Sequence, residues 1–144
     1  MRVLVDTSVW SVALRRSKRP QSPASLELRN LIADHRVAII GPIRQEILSG
    51  VKEESQFKKL EKHLAAFPDI PVVTEDYVTA ARFFNLCRSR GVQGSNTDFL
   101  ICAVAVRHRL AIFTTDEDFA LFSKQLPIVL HEEEGFEQDT RRGS

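Results

Sequence analysis

Apolar and polar positions switch between two periods along this chain, and the switches mark out its elements. Residues 2–5, with the continuous run Val3-Leu4-Val5, read as a buried strand that stops at once on Asp6. In "SPASLELRNLIADH" the apolar residues Leu28, Leu31 and Ile32 recur at helical spacing. "VAII" (37–40) predicts a second short buried strand, closed by Gly41-Pro42. Pro42 suits the first turn of a helix that runs to Gly50, a natural helix stop. Phe57, Leu60, Leu64 and Phe67 give "ESQFKKLEKHLAAF" one apolar face. "IPVV" (70–73) predicts a third strand, which Pro71 places at an edge or a strand start. "TEDYVTAARFFNLCRSRG" has acids in its first turn, basic residues in its last and Gly91 after it, the marks of a complete helix. The most apolar helix is "DFLICAVAVRH" (98–108). It is followed by a strand "LAIFT" (110–114), a short helix "DEDFALFSK" and a fifth strand "PIVL" (127–130).

Strands alternating with helices imply an α/β fold, with a mostly parallel sheet of about four or five strands covered on both faces. At 144 residues with 43% apolar content, one domain spanning 1–131 can bury its own core without disulfides or a structural metal. Residues 132–144 carry no apolar period and read as a loosely ordered acidic tail whose last residues resemble an expression remnant. Cys87 and Cys102 sit within apolar helical patterns and read as reduced core thiols. The chain has no apolar run near the ~20 residues a membrane helix needs and no signal-like start, so a cytoplasmic location without membrane contact is expected. A net charge of +1 announces no global nucleic-acid field. One local run, "RRSKRP" from Arg15 to Pro20, reads either as a solvated loop or as a rim that touches phosphate through Arg15 and Arg16.

Ligands of parallel sheets bind outside the carboxyl ends of the strands, and there the acids gather. Asp6 follows the first strand and Asp116 follows "AIFT" after one further threonine. Glu46 lies early in the helix after "VAII", and Asp98 begins the core helix. Each has a structural reading: Asp6 and Asp116 as helix caps, Asp98 with Ser95 as a capping box, and Glu46 as a solvated residue paired with Lys52 or Arg44. Four carboxylates at one edge would raise one another's pKa and require a cation. Oxygen ligands without Cys, and with His35, His63, His108 and His131 scattered, suit Mg²⁺ or Mn²⁺ rather than zinc. A hard ion in an acidic cleft serves phosphodiester hydrolysis. The chain contains neither G-x-x-x-x-G-K-[ST] nor G-x-G-x-x-G, so nucleotide-binding alternatives lack their phosphate loops.

The stretches "VLVDTSVW", "GPIRQEILSG", "NTDFLICAVAV" and "IFTTDEDF", in this order, resemble PIN-domain ribonucleases and among them the VapC-type toxins of toxin–antitoxin pairs. The resemblance implies a three-layer α/β/α fold and metal-dependent cleavage of RNA, often tRNA or rRNA. It implies Asp6, Glu46, Asp98 and Asp116 as catalytic, with Asp6, Asp98 and Asp116 as metal ligands. Thr7, Ser8 and Thr97 would support them, and Asp118 stands where some members carry one more acid. It also implies a homodimer and a VapB-type antitoxin, for which the helical stretches between 24 and 66 are the expected dock. Arg44 is a candidate for phosphate contact or for an ion pair with a neighbouring acid. Trp10, Phe57, Phe67, Phe83 and Phe84 fit a core better than a base-stacking surface. The competing reading is a catalytically inactive module that keeps the fold and binds RNA or protein.

Overall fold

The computed structural model describes residues 1–14 and 22–133. Its elements run β1 (Val3–Val5), α1 (Thr7–Leu14), α2 (Pro23–Ala33), β2 (Val37–Ala38), α3 (Gly41–Leu48), α4 (Glu54–Leu64), α5 (Thr74–Ser89), α6 (Asn96–His108), β3 (Ala111–Phe113), α7 (Asp118–Ser123) and β4 (Val129–Leu130). Four parallel strands pair in the order β2-β1-β3-β4. The apolar runs of β1 and β3 are buried throughout, as expected of central parallel strands covered on both faces. At the edge, Val129 of β4 is exposed. The three-layer α/β/α expectation therefore holds, with four strands.

The third expected strand, 70–73, does not form. Asp69 makes a single bridge to Ile39, and the Ile70 N–H donates to the Ile39 carbonyl at 2.9 Å. Beyond that point side chains satisfy the backbone. Arg107 donates to the Pro71 carbonyl at 3.0 Å, and the Asp76 carboxylate accepts the Val73 N–H at 2.9 Å. Pro71 has no N–H to offer a ladder, so a neighbouring strand would gain little there.

Helix α1 follows β1 with no loop and was not announced by the apolar pattern. Asp6 supplies the first helical acceptor: its carbonyl receives the Val9 N–H at 3.1 Å. Helix α6 is the buried spine, with every residue from Phe99 to Ala105 in the core. Phe99 packs against Phe122 at 4.8 Å between ring centroids and edge-on to Phe84 at 5.5 Å, while Phe119 meets Phe122 at 5.1 Å. This aromatic cluster joins α5, α6 and α7. Trp10 is likewise core, edge-on to Phe67 at 5.5 Å.

One ion pair fastens α5 to α6. Arg107 donates to both Asp76 oxygens, at 2.6 and 2.8 Å, and the Asp76 side chain is 1% exposed. The Arg107 hydrogen bonds hold the Asp76 carboxyl below its ordinary pKa, against the opposing effect of burial. Asp76 thus serves as both cap and clamp. Asp76→Ala should lower stability by about 1 kcal/mol from the lost cap alone, and by more once the clamp is counted. A thermal melt should show this as a midpoint at least about 3–5 °C lower in a chain of this size. An unchanged midpoint would remove the clamp from the account.

Candidate active site

The sheet decides where the acids meet. Strands β1 and β3 are parallel neighbours in the register Val5↔Phe113, and the Asp6 N–H continues that ladder by donating to the Phe113 carbonyl at 2.8 Å. Asp6 and Asp116 therefore leave the same edge. Because β2 and β3 flank β1 on opposite sides, the chain departs from this edge in both directions and opens a crevice there. Glu46, on α3 after β2, and Asp98, in the first turn of α6, complete the group.

Their charges are linked in a chain of neighbours, with Asp6 and Asp98 acting on Glu46 and Asp6 and Asp116 acting on Asp98. The Glu46 carboxyl is pushed above its ordinary pKa, first by desolvation and then by Asp6 and Asp98. Asp98 is also raised, mainly by burial and further by Asp6 and Asp116, against hydrogen bonds from Ser95 that act to lower it. Among the described residues, no Lys, Arg or His forms an ion pair with any of the four.

Local hydrogen bonds pin three of them. Asp6, 7% exposed, accepts the Ser8 hydroxyl at 2.8 Å and the Thr114 hydroxyl at 2.9 Å, both on Oδ2. The same two hydroxyl oxygens accept backbone N–H groups from the loop after β3: Ser8 from Thr115 and Thr114 from Asp116, each at 3.0 Å. Ser8 and Thr114 thereby join the start of α1 to the loop bearing Asp116. Asp98 forms the capping box expected with Ser95: its Oδ2 accepts the Ser95 N–H at 3.0 Å and its own N–H donates to Ser95 Oγ at 3.1 Å. Asp116 Oδ1 accepts the Asp118 N–H at 2.9 Å. Each of the three aspartates thus spends one oxygen on holding itself. Among the described residues, their other oxygens and the whole Glu46 carboxylate have no hydrogen-bond partner.

The carboxylates do not yet form a cage. Among the described residues, no three His, Cys, Asp or Glu side chains converge closely enough to hold an ion as they stand. The expectation of four groups already meeting in one pocket gives way to three pinned aspartates at one edge, each with an oxygen to spare. The donor set still fits a hard divalent ion in kind: oxygen only, negative and, among the described residues, without an ion-pairing cation.

Other sequence candidates divide. Ser8 belongs to the site. The Thr7 hydroxyl is buried without a partner, and Thr97 makes no side-chain hydrogen bond among the described residues, so neither touches the acids through one. The exposed Asp118 contributes its backbone N–H. Arg44 turns away from the cleft. It donates to Asp69 at 3.0 Å, to the Leu64 carbonyl at 2.9 Å and to the Phe67 carbonyl. Residues two apart on a helix do not share a face, so a position near Glu46 in sequence did not place Arg44 beside it in space. Its donors bind the segment after α4 instead of offering themselves to phosphate. Arg15 and Arg16 lie outside the described residues. Thr114 was missed, since a threonine ending a strand looks like ordinary strand composition.

The family model for the PIN domain matches residues 3–125. The chain belongs to the PIN-domain family. A VapC ribonuclease of Mycobacterium bovis and ribonuclease VapC11 of Mycobacterium tuberculosis are each 32% identical to it over 126 residues, covering 85% of this chain and 92% of theirs. Among solved structures, FitAcB from Neisseria gonorrhoeae superposes with a TM-score of 0.72 at 19% identity, covering 91% of this chain and 97% of that one. VapBC2 from Rickettsia felis, bound to a DNA fragment from its promoter, gives 0.71 at 20% identity, covering 91% and 98%. These structural likenesses establish the PIN fold.

In this PIN domain the raised acids weigh against stability at neutral pH. An acid whose folded-state pKa lies above its unfolded value favours folding at low pH, and that contribution is lost as the pH rises through the folded value. Glu46→Gln should therefore melt above the parent at pH 7 in chelator. The gap should close below about pH 4, where the ordinary Glu carboxyl is protonated in both states. Melts across that range measure it, and a gap independent of pH would contradict the raised carboxyl, which burial causes first and the neighbouring acids second.

Proposed function

We propose that this PIN domain is an endoribonuclease that hydrolyses RNA phosphodiester bonds with Mg²⁺ or Mn²⁺, as the cytoplasmic toxin of a toxin–antitoxin pair. The observation that carries the reading is the set of four acids, Asp6, Glu46, Asp98 and Asp116, at the switch point of the sheet, linked by like charge and, among the described residues, without an ion-pairing cation. The names of the VapC ribonuclease relatives support it.

Asp6, Asp98 and Asp116 would hold the ion through the oxygens their own hydrogen bonds leave free. Bound Mg²⁺ or Mn²⁺ supplies Lewis acidity at the phosphoryl oxygen and eases ionisation of the attacking water. Ser8 and Thr114 keep Asp6 from turning away, so its free oxygen is presented without a search over rotamers. Among the described residues Glu46 has no hydrogen-bond partner, and its pKa is raised, the properties of a base that takes the proton of the attacking water. The RNA is of the structured tRNA or rRNA class.

A groove of about 540 Å³ between α1, α3 and α4 suits a VapB-type antitoxin. Leu14, Ile47, Val51 and Leu60 give it an apolar floor, and Lys59 and His63 stand at its side. Its position within the helices between 24 and 66 overlaps the dock expected from the sequence, with α1 as an added wall. The toxin is proposed to act as a homodimer.

Purified protein should cut tRNA or rRNA when Mg²⁺ or Mn²⁺ is added and stop when EDTA is added. Asp6→Asn should lower the rate by about 10²–10⁴-fold with the fold intact by circular dichroism. Persistent cutting by that variant would sink the assignment, and metal-indifferent RNA binding without cutting would favour the inactive module. Thr114→Val, which removes only an orienting hydroxyl, should cost about 10–100-fold in activity or in metal affinity measured by calorimetry. Wild-type values in both measurements would deny Thr114 that role.

A further inference from the structure

Another concavity is lined by Gly94 and Phe99, which flank in sequence the Ser95–Asp98 turn of the acidic site. It lies where the chain leaves α5 and enters α6, holds about 150 Å³, and is lined by Phe84, Arg88, Val92, Gln93, Gly94 and Phe99. Drug-sized ligands occupy pockets of roughly 300–1,000 Å³, so this one admits a single ring system and little more.

Its walls are aromatic and fixed. Phe84 and Phe99 meet edge-on at 5.5 Å, and Phe99 is held from behind by Phe122. The Arg88 guanidinium lies 5.4 Å from the centroid of the Phe84 ring, extending the aromatic wall with a planar cation. Gln93 is exposed at the rim, where its amide offers both a donor and an acceptor. The loop is pressed close: a Cβ at Gly94 would stand 2.5 Å from the Phe122 ring and 3.0 Å from that of Phe99. Only glycine lets the backbone pass there, so the shape of the pocket is set by packing in the core.

The location gives the chemistry a use. Gly94 directly precedes Ser95, whose hydroxyl caps the turn that carries Asp98. An acidic cleft repels a phosphate chain until a cation intervenes, so RNA needs an anchor beside the acids that does not depend on them. Aromatic faces and guanidinium planes stack on unpaired bases of any sequence, and an amide can then read a base edge. We infer that this pocket takes one unpaired nucleobase next to the scissile phosphate, with Phe84 and Arg88 stacking and Gln93 reading its edge. The inference deepens the proposed nuclease reading and rests on it for the identity of the ligand.

The test separates the two. A single-stranded RNA oligonucleotide carrying 2-aminopurine is titrated with the full chain in EDTA, where no cutting can occur, and its fluorescence reports stacking. The wild type should quench it. Arg88→Ala, and Val92→Trp, which fills the cavity from a half-buried position in its wall, should bind about tenfold or more weakly. In parallel, a pool of RNAs randomised around the cut is digested with Mg²⁺ and its ends sequenced. Gln93→Ala should flatten the base preference at one flanking position while total cutting stays within a few-fold of wild type. Wild-type quenching in both filled and truncated variants, or an unchanged flanking preference in Gln93→Ala, overturns the pocket while leaving the nuclease reading intact. Quenching that the variants lose, from a protein that cuts no RNA with any metal, keeps the pocket and overturns the nuclease.

Discussion

The parallel pairing of β1 with β3 is the constraint on which the rest depends. It is built from three-residue apolar runs, Val3–Val5 and Ala111–Phe113, and it sets their carboxyl ends side by side. The residues that leave those two ends must share one edge, and they are Asp6 on one side and Thr114 with Asp116 on the other. The Asp6 N–H bonded to the Phe113 carbonyl and the Thr114 hydroxyl bonded to the Asp6 carboxylate continue the pairing from backbone into side chains. Slipping the register by one residue would draw Arg2 or Asp6 into a run that is buried throughout, so the core holds the site in alignment.

That alignment sets local electrostatics against global stability. Glu46 and Asp98 are raised by burial and by neighbours of the same sign, a cost for which the described residues supply no cationic partner. The opposite solution appears at Asp76, buried but matched by Arg107 and held below its ordinary pKa. The chain evidently has the means to neutralise a buried carboxylate where stability is the aim. Among the described residues Asp6, Glu46, Asp98 and Asp116 have no such cation, and Glu46 and Asp98 are raised, a pattern that concentrates where chemistry is done.

Much of the molecule was legible in the sequence, for reasons that can be named. Apolar runs and helix stop signals located the sheet and most helices, since burial dictates both periods. Helix α1 was not legible: Thr7, Val9, Trp10 and Val12 have modest helix propensity, and packing of Val9 and Trp10 against the core holds it. The strand expected at 70–73 failed for the converse reason, because β-branched residues invited a ladder whose backbone groups Arg107 and Asp76 had already engaged. At the site, the positions of the four acids followed from strand ends and helix starts. Their incomplete convergence did not, since it depends on which oxygen each side chain commits to its own loop.

The capping box at Asp98 shows why the structural and chemical readings of such residues need not compete. A carboxylate has two oxygens. Giving Oδ2 to the Ser95 N–H fixes the side-chain torsions and so fixes where Oδ1 points. Asp116 repeats the device with the Asp118 N–H, and Asp6 with the hydroxyls of Ser8 and Thr114. The resulting field extends beneath the surface: burial first, and then the charges of Asp98, Cys87 and Asp6, push the Cys102 thiol far above its ordinary range and leave it an inert core group. A cap that holds one oxygen and offers the other supplies rigidity and a ligand from one side chain. Asp6, Asp98 and Asp116 each combine an oxygen held by the chain with one left without a protein partner among the described residues.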